Sequence, residues 1–264
     1  MRHPRRPLLL LPLDKVAAGQ LSNRGSIMEL LFRDDAYLKS CEARVVAHDG
    51  EGIRLDCTVF YPTGGGQPGD SGALKLEDGS HIRILEARQV AGHEDVVHVP
   101  EDGAPRLSPG TRVSAEIDWP RRYKHMRFHT ALHALCSLIE GDVTGGNLNA
   151  RKARLDFNLP EDYPDKETLN AGLKEIVAAD HAVGCSWITD REMAARPELV
   201  RTFSVKPPTG TGRVRLLEIE GIDVQPCGGT HLRSTAEIGD VFVSKIENKG
   251  RRNRRFTLRF AADQ

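Results

Sequence analysis

The chain has 264 residues, 39% hydrophobic and 28% charged, with 37 basic and 37 acidic side chains and a formal net charge of zero. That length supports a substantial core and one to two domains, and zero net charge excludes nucleic-acid binding through a global basic field, leaving local clusters. Five cysteines at irregular spacing argue against a disulfide framework and for a reducing compartment. With no apolar run near the length that spans a bilayer, a cytoplasmic protein without membrane attachment is expected.

Residues 1–27 are basic, then briefly apolar and interrupted by prolines. The apolar run is short and no small-residue cleavage site follows directly, so a signal peptide fits poorly. A disordered extension, or an upstream start with Met28 opening the folded protein, is expected. From 31 to 118, alternating or β-branched stretches predict strands over 41–48, 52–60, 81–90, 95–99 and 111–118, with Asp-Gly turns at 49–50, 78–79 and 102–103. Strands at this spacing suggest a small β-barrel or a twisted sheet. Among them lies Phe60-Tyr61-Pro62-Thr63-Gly64-Gly65-Gly66-Gln67-Pro68-Gly69-Asp70. It is either a flexible connection or a loop whose backbone N–H groups approach a ligand closely. No Lys-Ser/Thr follows, so it is not a phosphate-binding P-loop.

At Trp119 the period changes. Asp118 supplies a capping carboxylate and Pro120 a first-turn proline; 121–140 holds no Gly or Pro, and Gly141 stops the run. Leu132, Leu135, Cys136 and Ile139 recur at helical spacing as a core-facing stripe. Beyond it come a Gly145-Gly146 turn, a strand over 152–158, a helix over about 164–181, a strand over 185–189 and a short helix over 190–195. Strands over 213–220, 240–247 and 255–261 follow, the last two as a hairpin. This pattern predicts an α+β fold with a mostly antiparallel sheet.

Two motifs carry chemistry. His129-Thr130-Ala131-Leu132-His133 sets two imidazoles one turn apart on a helix, and Cys227-Gly228-Gly229-Thr230-His231 sets a thiol and an imidazole around a Gly-Gly pair. Two or three nitrogens with one sulfur form a borderline-soft set that suits Zn²⁺ better than Mg²⁺ or Ca²⁺. Nearby, Cys136 is expected to pack as a small hydrophobe. His125, within the basic run 121–127, is expected to face solvent or an anion. A second basic cluster, Lys249, Arg251, Arg252, Arg254 and Arg255, occupies the hairpin tip. It reads either as a solvated tip or, beside the first cluster, as a phosphate-contacting surface.

In this order the glycine loop, the segment Arg122-Tyr123-Lys124-His125-Met126-Arg127-Phe128-His129-Thr130-Ala131-Leu132-His133 and Gln225-Pro226-Cys227-Gly228-Gly229-Thr230-His231 resemble the AlaX-type alanyl-tRNA editing proteins and the editing domain of alanyl-tRNA synthetase. The resemblance covers roughly 28–260. It implies the medium-length form: a small N-terminal β-barrel-like domain over 28–118 carrying the glycine loop, then a two-layer zinc-binding editing domain over 119–264. It implies one zinc per chain, held by His129, His133, Cys227 and His231. The implied activity is hydrolysis of the ester joining serine, and sometimes glycine, to alanine tRNA, acting in trans on its acceptor end. Thr63, Gln67 and Thr130 are the hydroxyl and amide groups expected nearest the substrate; no acid/base residue is legible. A tRNA-binding module with structural zinc and a hydrolase of free esters are the alternative functions. Oligomeric state is not legible, with a monomer the default.

Overall fold

The computed structural model of the protein describes residues 28–90, 95–159, 163–200 and 212–263; the extension read over 1–27 lies outside them. In chain order the first strands are β1 (Glu29–Leu30), β2 (Ser40–Asp49), β3 (Gly52–Leu55), β4 (Cys57–Thr58), β5 (Gly72–Leu76), β6 (His81–Gln89), β7 (Val96–Pro100) and β8 (Arg112–Ile117). Six of them close into an antiparallel barrel in the order β2-β3-β7-β6-β5-β8. Alternation does the work: Val113, Ala115 and Ile117 of β8 point inward against Leu74, Ile82, Ile84 and Ile53. The strand expected over 52–60 breaks at Asp56 into β3 and β4, and β4 pairs in parallel with β1. β5 was not expected. Its Gly72 carries no side chain because a Cβ there would lie 2.1 Å from the Glu116 carbonyl of β8.

The second half runs α1 (Trp119–Ser137), β9 (Asp142–Leu148), β10 (Ala153–Asn158), α2 (Lys166–Ala179), β11 (Val183–Thr189), α3 (Asp190–Ala194), β12 (Arg213–Ile219), β13 (Asp223–Pro226), β14 (Val241–Asn248) and β15 (Asn253–Phe260). Asp118 caps α1 by accepting from the Arg121 N–H at 3.2 Å. The helices α1 and α2 pack on a four-stranded antiparallel sheet, β14-β15-β10-β9, burying Phe128, Leu132, Leu135, Leu169, Phe157 and Phe256. A separate antiparallel sheet, β11-β12-β13, stands beside it. The arrangement is α+β. The turn read at Gly145-Gly146 is instead the middle of edge strand β9. Glycine serves close approach here: the Leu148 N–H bonds the Gly66 carbonyl at 2.9 Å, and a Cβ on Gly66 would meet the Gly146 oxygen at 2.6 Å. Among the described residues no helix is long and apolar enough to cross a membrane.

Candidate metal centre

Helix α1 presents His129 and His133 from adjacent turns, their ring centroids 5.5 Å apart. Residues 227–231 follow β13 directly and bring Cys227 and His231 to the same point. The Cys227 N–H bonds the Arg215 carbonyl on β12 at 3.1 Å, and the Arg215 guanidinium donates to the Cys227 and Gly229 carbonyls at 3.0 and 2.9 Å. This clasp holds the loop tightly against α1. A Cβ on Gly229 would lie 2.2 Å from the His129 ring, whereas Gly228 has open space around it.

One donor atom from each of His129, His133, Cys227 and His231 lies within 4.8 Å of all the others. The Cys227 Sγ is 3.6 Å from His129 Nε2 and 3.2 Å from His231 Nε2. Tetrahedral zinc bonds of about 2.3 Å to sulfur and about 2.05 Å to nitrogen put such pairs about 3.6 Å apart, so the donor set fits that ion. The three histidines are buried and Cys227 is half-buried, which makes Cys227 the least buried of the four.

Each imidazole turns its other nitrogen to a partner. His129 Nδ1 meets the Gln67 side-chain oxygen at 2.8 Å, His231 Nδ1 meets the Thr130 hydroxyl at 3.3 Å, and His133 Nδ1 meets the Asp223 carboxylate at 3.3 Å. Such partners fix ring orientation and tautomer in metal sites. Burial raises the Cys227 thiol, but the neighbouring His129 and His231 imidazoles and hydrogen bonds from His129 and His133 outweigh it and hold the thiol well below its ordinary value. Burial, aided by His129, pushes His231 down to about 3. Burial also opposes protonation of His133, yet hydrogen bonds to Asp223 and Cys227 take it up to about 9. The thiolate and the neutral His231 imidazole are in the form that ligates a metal, and a metal would displace the proton that the metal-free cluster leaves on His133.

The glycine loop reaches the cluster through Gln67, whose Oε1 also accepts from the Thr230 N–H at 3.2 Å while its Nε2 donates to the Thr230 hydroxyl at 2.8 Å. Thr63, by contrast, is an exposed loop holder: its hydroxyl donates to Glu86 at 2.6 Å and accepts from the Gly69 N–H at 2.8 Å. Thr130 is fully buried behind His231, and its hydroxyl also accepts from the Leu232 N–H at 3.2 Å. Asp223 was missed in the sequence. Strand periodicity carried a signal for it, since residues 223, 225 and 227 share one face of an extended segment. Gln225 donates to Asp223 at 2.8 Å and to the buried Cys136 sulfur at 3.3 Å, so Cys136 packs inside as expected.

Two expectations are corrected. His125 is fully buried, neither ring nitrogen has a hydrogen-bond partner, and burial with the Arg121 and Arg122 charges pushes it down to about 4; it faces neither solvent nor anion. The basic run is largely absorbed by the fold. Arg122 is buried in an ion pair with Asp70 and donates to the Val59 and Ala36 carbonyls at 2.6 and 2.9 Å. Arg127 stacks on Phe260 at 3.9 Å and donates to the Ile238 carbonyl at 2.9 Å. At the hairpin tip, Arg254 donates to the Asn248 side chain and the Gly250 carbonyl at 3.0 Å, and Arg255 pairs with Asp156 at 2.7 Å. Arg251 and Arg252 are the exposed arginines of the tip.

Known proteins resemble the chain along most of its length. The chain is 38% identical over 241 residues to the alanyl-tRNA editing protein AlaX-M of Methanosarcina mazei, covering 86% of this chain and 94% of that protein. It is 35% identical over 231 residues to the AlaX-M protein of Saccharolobus solfataricus, covering 86% and 96%. The chain belongs to the AlaX-M family of alanyl-tRNA editing proteins. Residues 214–257 match the family described as Threonyl and Alanyl tRNA synthetase second additional domain, and residues 20–121 match tRNA synthetases class II (A). The alanine–tRNA ligase of Pyrococcus abyssi is 35% identical over 229 residues, which are 82% of this AlaX-M chain and 24% of the ligase.

Proposed function

We propose that this protein hydrolyses the ester of mischarged alanine tRNA in trans, releasing serine, and glycine to a lesser degree. The observation that carries this reading is the convergence of His129, His133, Cys227 and His231 on one point, with Cys227 the least buried, in a chain of the AlaX-M family. Those four residues would hold one zinc, which when bound supplies Lewis-acid polarisation of the ester carbonyl and a more acidic water. The chain's own groups do the rest. Gln67, Thr130 and Asp223 hold the imidazoles in register, and Arg215 holds the Cys227 loop against them.

Serine differs from alanine by one hydroxyl, which a hydrophobic synthetase pocket rejects weakly. A site that gives that hydroxyl a hydrogen bond discriminates the other way, because alanine leaves its polar group unpaired. Of the three candidate reading groups, Thr63 and Thr130 spend their hydroxyls on Glu86 and Gly69, and on His231 and Leu232. The Gln67 amide has two hydrogens and gives one to Thr230, so the proposal for the serine hydroxyl centres on its second. The test is a deacylation assay on alanine tRNA charged with serine, glycine and alanine side by side. Rapid loss of serine with alanine left intact is expected. Binding without turnover would leave a tRNA-binding module, and cleavage of small esters without tRNA a general esterase.

A further inference from the structure

The ester proposed as substrate hangs from the terminal adenosine of an RNA strand, so a site that holds the ester must place that nucleotide beside the cluster. Cys227 is the least buried of the four candidate ligands, and it hangs on the sheet β11-β12-β13: it follows β13 directly and its N–H bonds the Arg215 carbonyl of β12. On β12, Arg215 grips the Cys227 and Gly229 carbonyls. Directly opposite Arg215 in the ladder is Trp187 of edge strand β11. Residues directly opposite in an antiparallel pair project from the same face of the sheet, about 5 Å apart at Cβ. Trp187 therefore stands one strand away from the residue that shapes the ligand loop.

Trp187 is also the most exposed aromatic side chain among the described residues, at 36%. Aromatic residues are only 5% of the chain, and the others described are buried or half-buried. The Arg213 guanidinium lies 4.4 Å from the indole centroid, so one ring face carries a cation. An indole with a stacked guanidinium is the surface on which proteins hold an unpaired base, the ring supplying stacking and the cation attraction for the adjoining phosphate. Arg213 shares this face with Arg215, two residues along β12.

Resting on the function proposed above, we infer that Trp187, backed by Arg213, stacks the terminal nucleobase of the acceptor strand and so sets the ester over the Cys227 side of the cluster. Trp187 is a substrate-binding residue in this arrangement and takes no part in bond breaking.

The test uses the full chain and two uncharged RNA hairpins of the alanine acceptor stem, one ending in unpaired CCA and one lacking the final adenosine. The parent protein is expected to bind the complete hairpin about tenfold more tightly than the truncated one, with quenching of tryptophan fluorescence by the complete hairpin alone. Trp187→Ala should remove both the preference and the quenching while keeping the parent's metal content, and Trp187→Phe should keep part of the preference. On serine-charged tRNA, Trp187→Ala should raise KM about tenfold and leave kcat close to the parent. A Trp187→Ala protein that keeps the parent's preference for the terminal adenosine overturns the inference, even if the parent deacylates serine-charged tRNA. A parent that prefers the adenosine but does not deacylate overturns the proposed reaction and leaves the stacking role standing.

Discussion

Three imidazoles in one cluster are held by three chemically different partners: an amide at His129, a hydroxyl at His231 and a carboxylate at His133. Only the carboxylate carries charge, so Asp223 should matter most to cation affinity. Asp223→Ala is expected to weaken zinc binding between about 10- and 100-fold, read by competition with a chromogenic chelator, without unfolding the protein. Replacing a ligand is harsher: Cys227→Ala should abolish metal and deacylation together, and full zinc occupancy in that variant would remove Cys227 from the ligand set. Gln67 allows a finer separation. Gln67→Glu keeps an oxygen for His129 but surrenders the amide donor proposed for serine. Metal content should hold while serine deacylation falls about five- to tenfold, the worth of one neutral hydrogen bond; an unchanged rate would place serine recognition elsewhere. The ligands were legible because HxxxH and CxxxH are compact patterns. Asp223 was harder to see: its one local mark is the alternation that puts 223 on the face of 225 and 227, and the histidine it supports lies ninety residues away.

At the scale of elements, glycine misled the sequence reading most. Gly145-Gly146 suggested a turn and is a strand: a Cβ on Gly146 would meet the Leu155 side chain at 3.0 Å and one on Gly66 would meet the Gly146 oxygen at 2.6 Å, close approaches that the local sequence does not reveal. The two glycines of the ligand loop differ in the same way. Gly229→Ala should displace His129 and abolish metal binding, while Gly228→Ala should be silent, because only the first would drive a methyl into the imidazole. Equal metal affinity in both variants would contradict the packing described. The barrel and the long helix were legible from alternation and capping; β13 has only four residues, and β5 opens on Gly72-Ala73, residue types that carry little strand signal. The basic hairpin was legible both as charge and as a strand pair, but which of its arginines are spent inside the fold was not, for ion pairing with Asp156 is invisible in a run of arginines. Substituting Arg251 and Arg252 should flatten the salt dependence of tRNA binding by roughly one unit of slope per lost phosphate contact. Substituting Arg254 or Arg255 should chiefly lower thermal stability. A salt slope unchanged in the Arg251/Arg252 variant would return the tip to a solvated surface.

For the molecule as a whole, buried polar groups dominate the sensitivity to acid. His98 is fully buried in the barrel between Thr58 and the Ile53 carbonyl, and burial pushes it down to about 4 from an ordinary 6.5; His125 behaves likewise. The unfolded chain takes up these protons first, so stability is whole above about pH 6.5 and is lost as pH falls towards 4. For His98 the loss is on the order of 3 kcal/mol. Urea unfolding at pH 7 and pH 4.5 should show the drop, and His98→Gln should shrink it; an equal drop in both proteins would assign it to other groups. The pair Arg122–Asp70, 0% and 1% exposed, is the matching sensitivity to mutation. Asp70→Ala strands a buried guanidinium and should cost about 3–5 kcal/mol in the same assay.

Gln67 belongs to a barrel loop, yet it grips a ligand on α1, and the same loop is tied to β9 through Gly66 and to α1 through Asp70. Occupancy of the cluster and docking of that loop are thus thermodynamically linked: whatever favours one favours the other by the same free energy. A chelator applied to this protein becomes a mechanical tool. Stripping the cation should quicken amide hydrogen exchange across residues 64–70, far along the chain from every ligand, and restoring it should slow that exchange again.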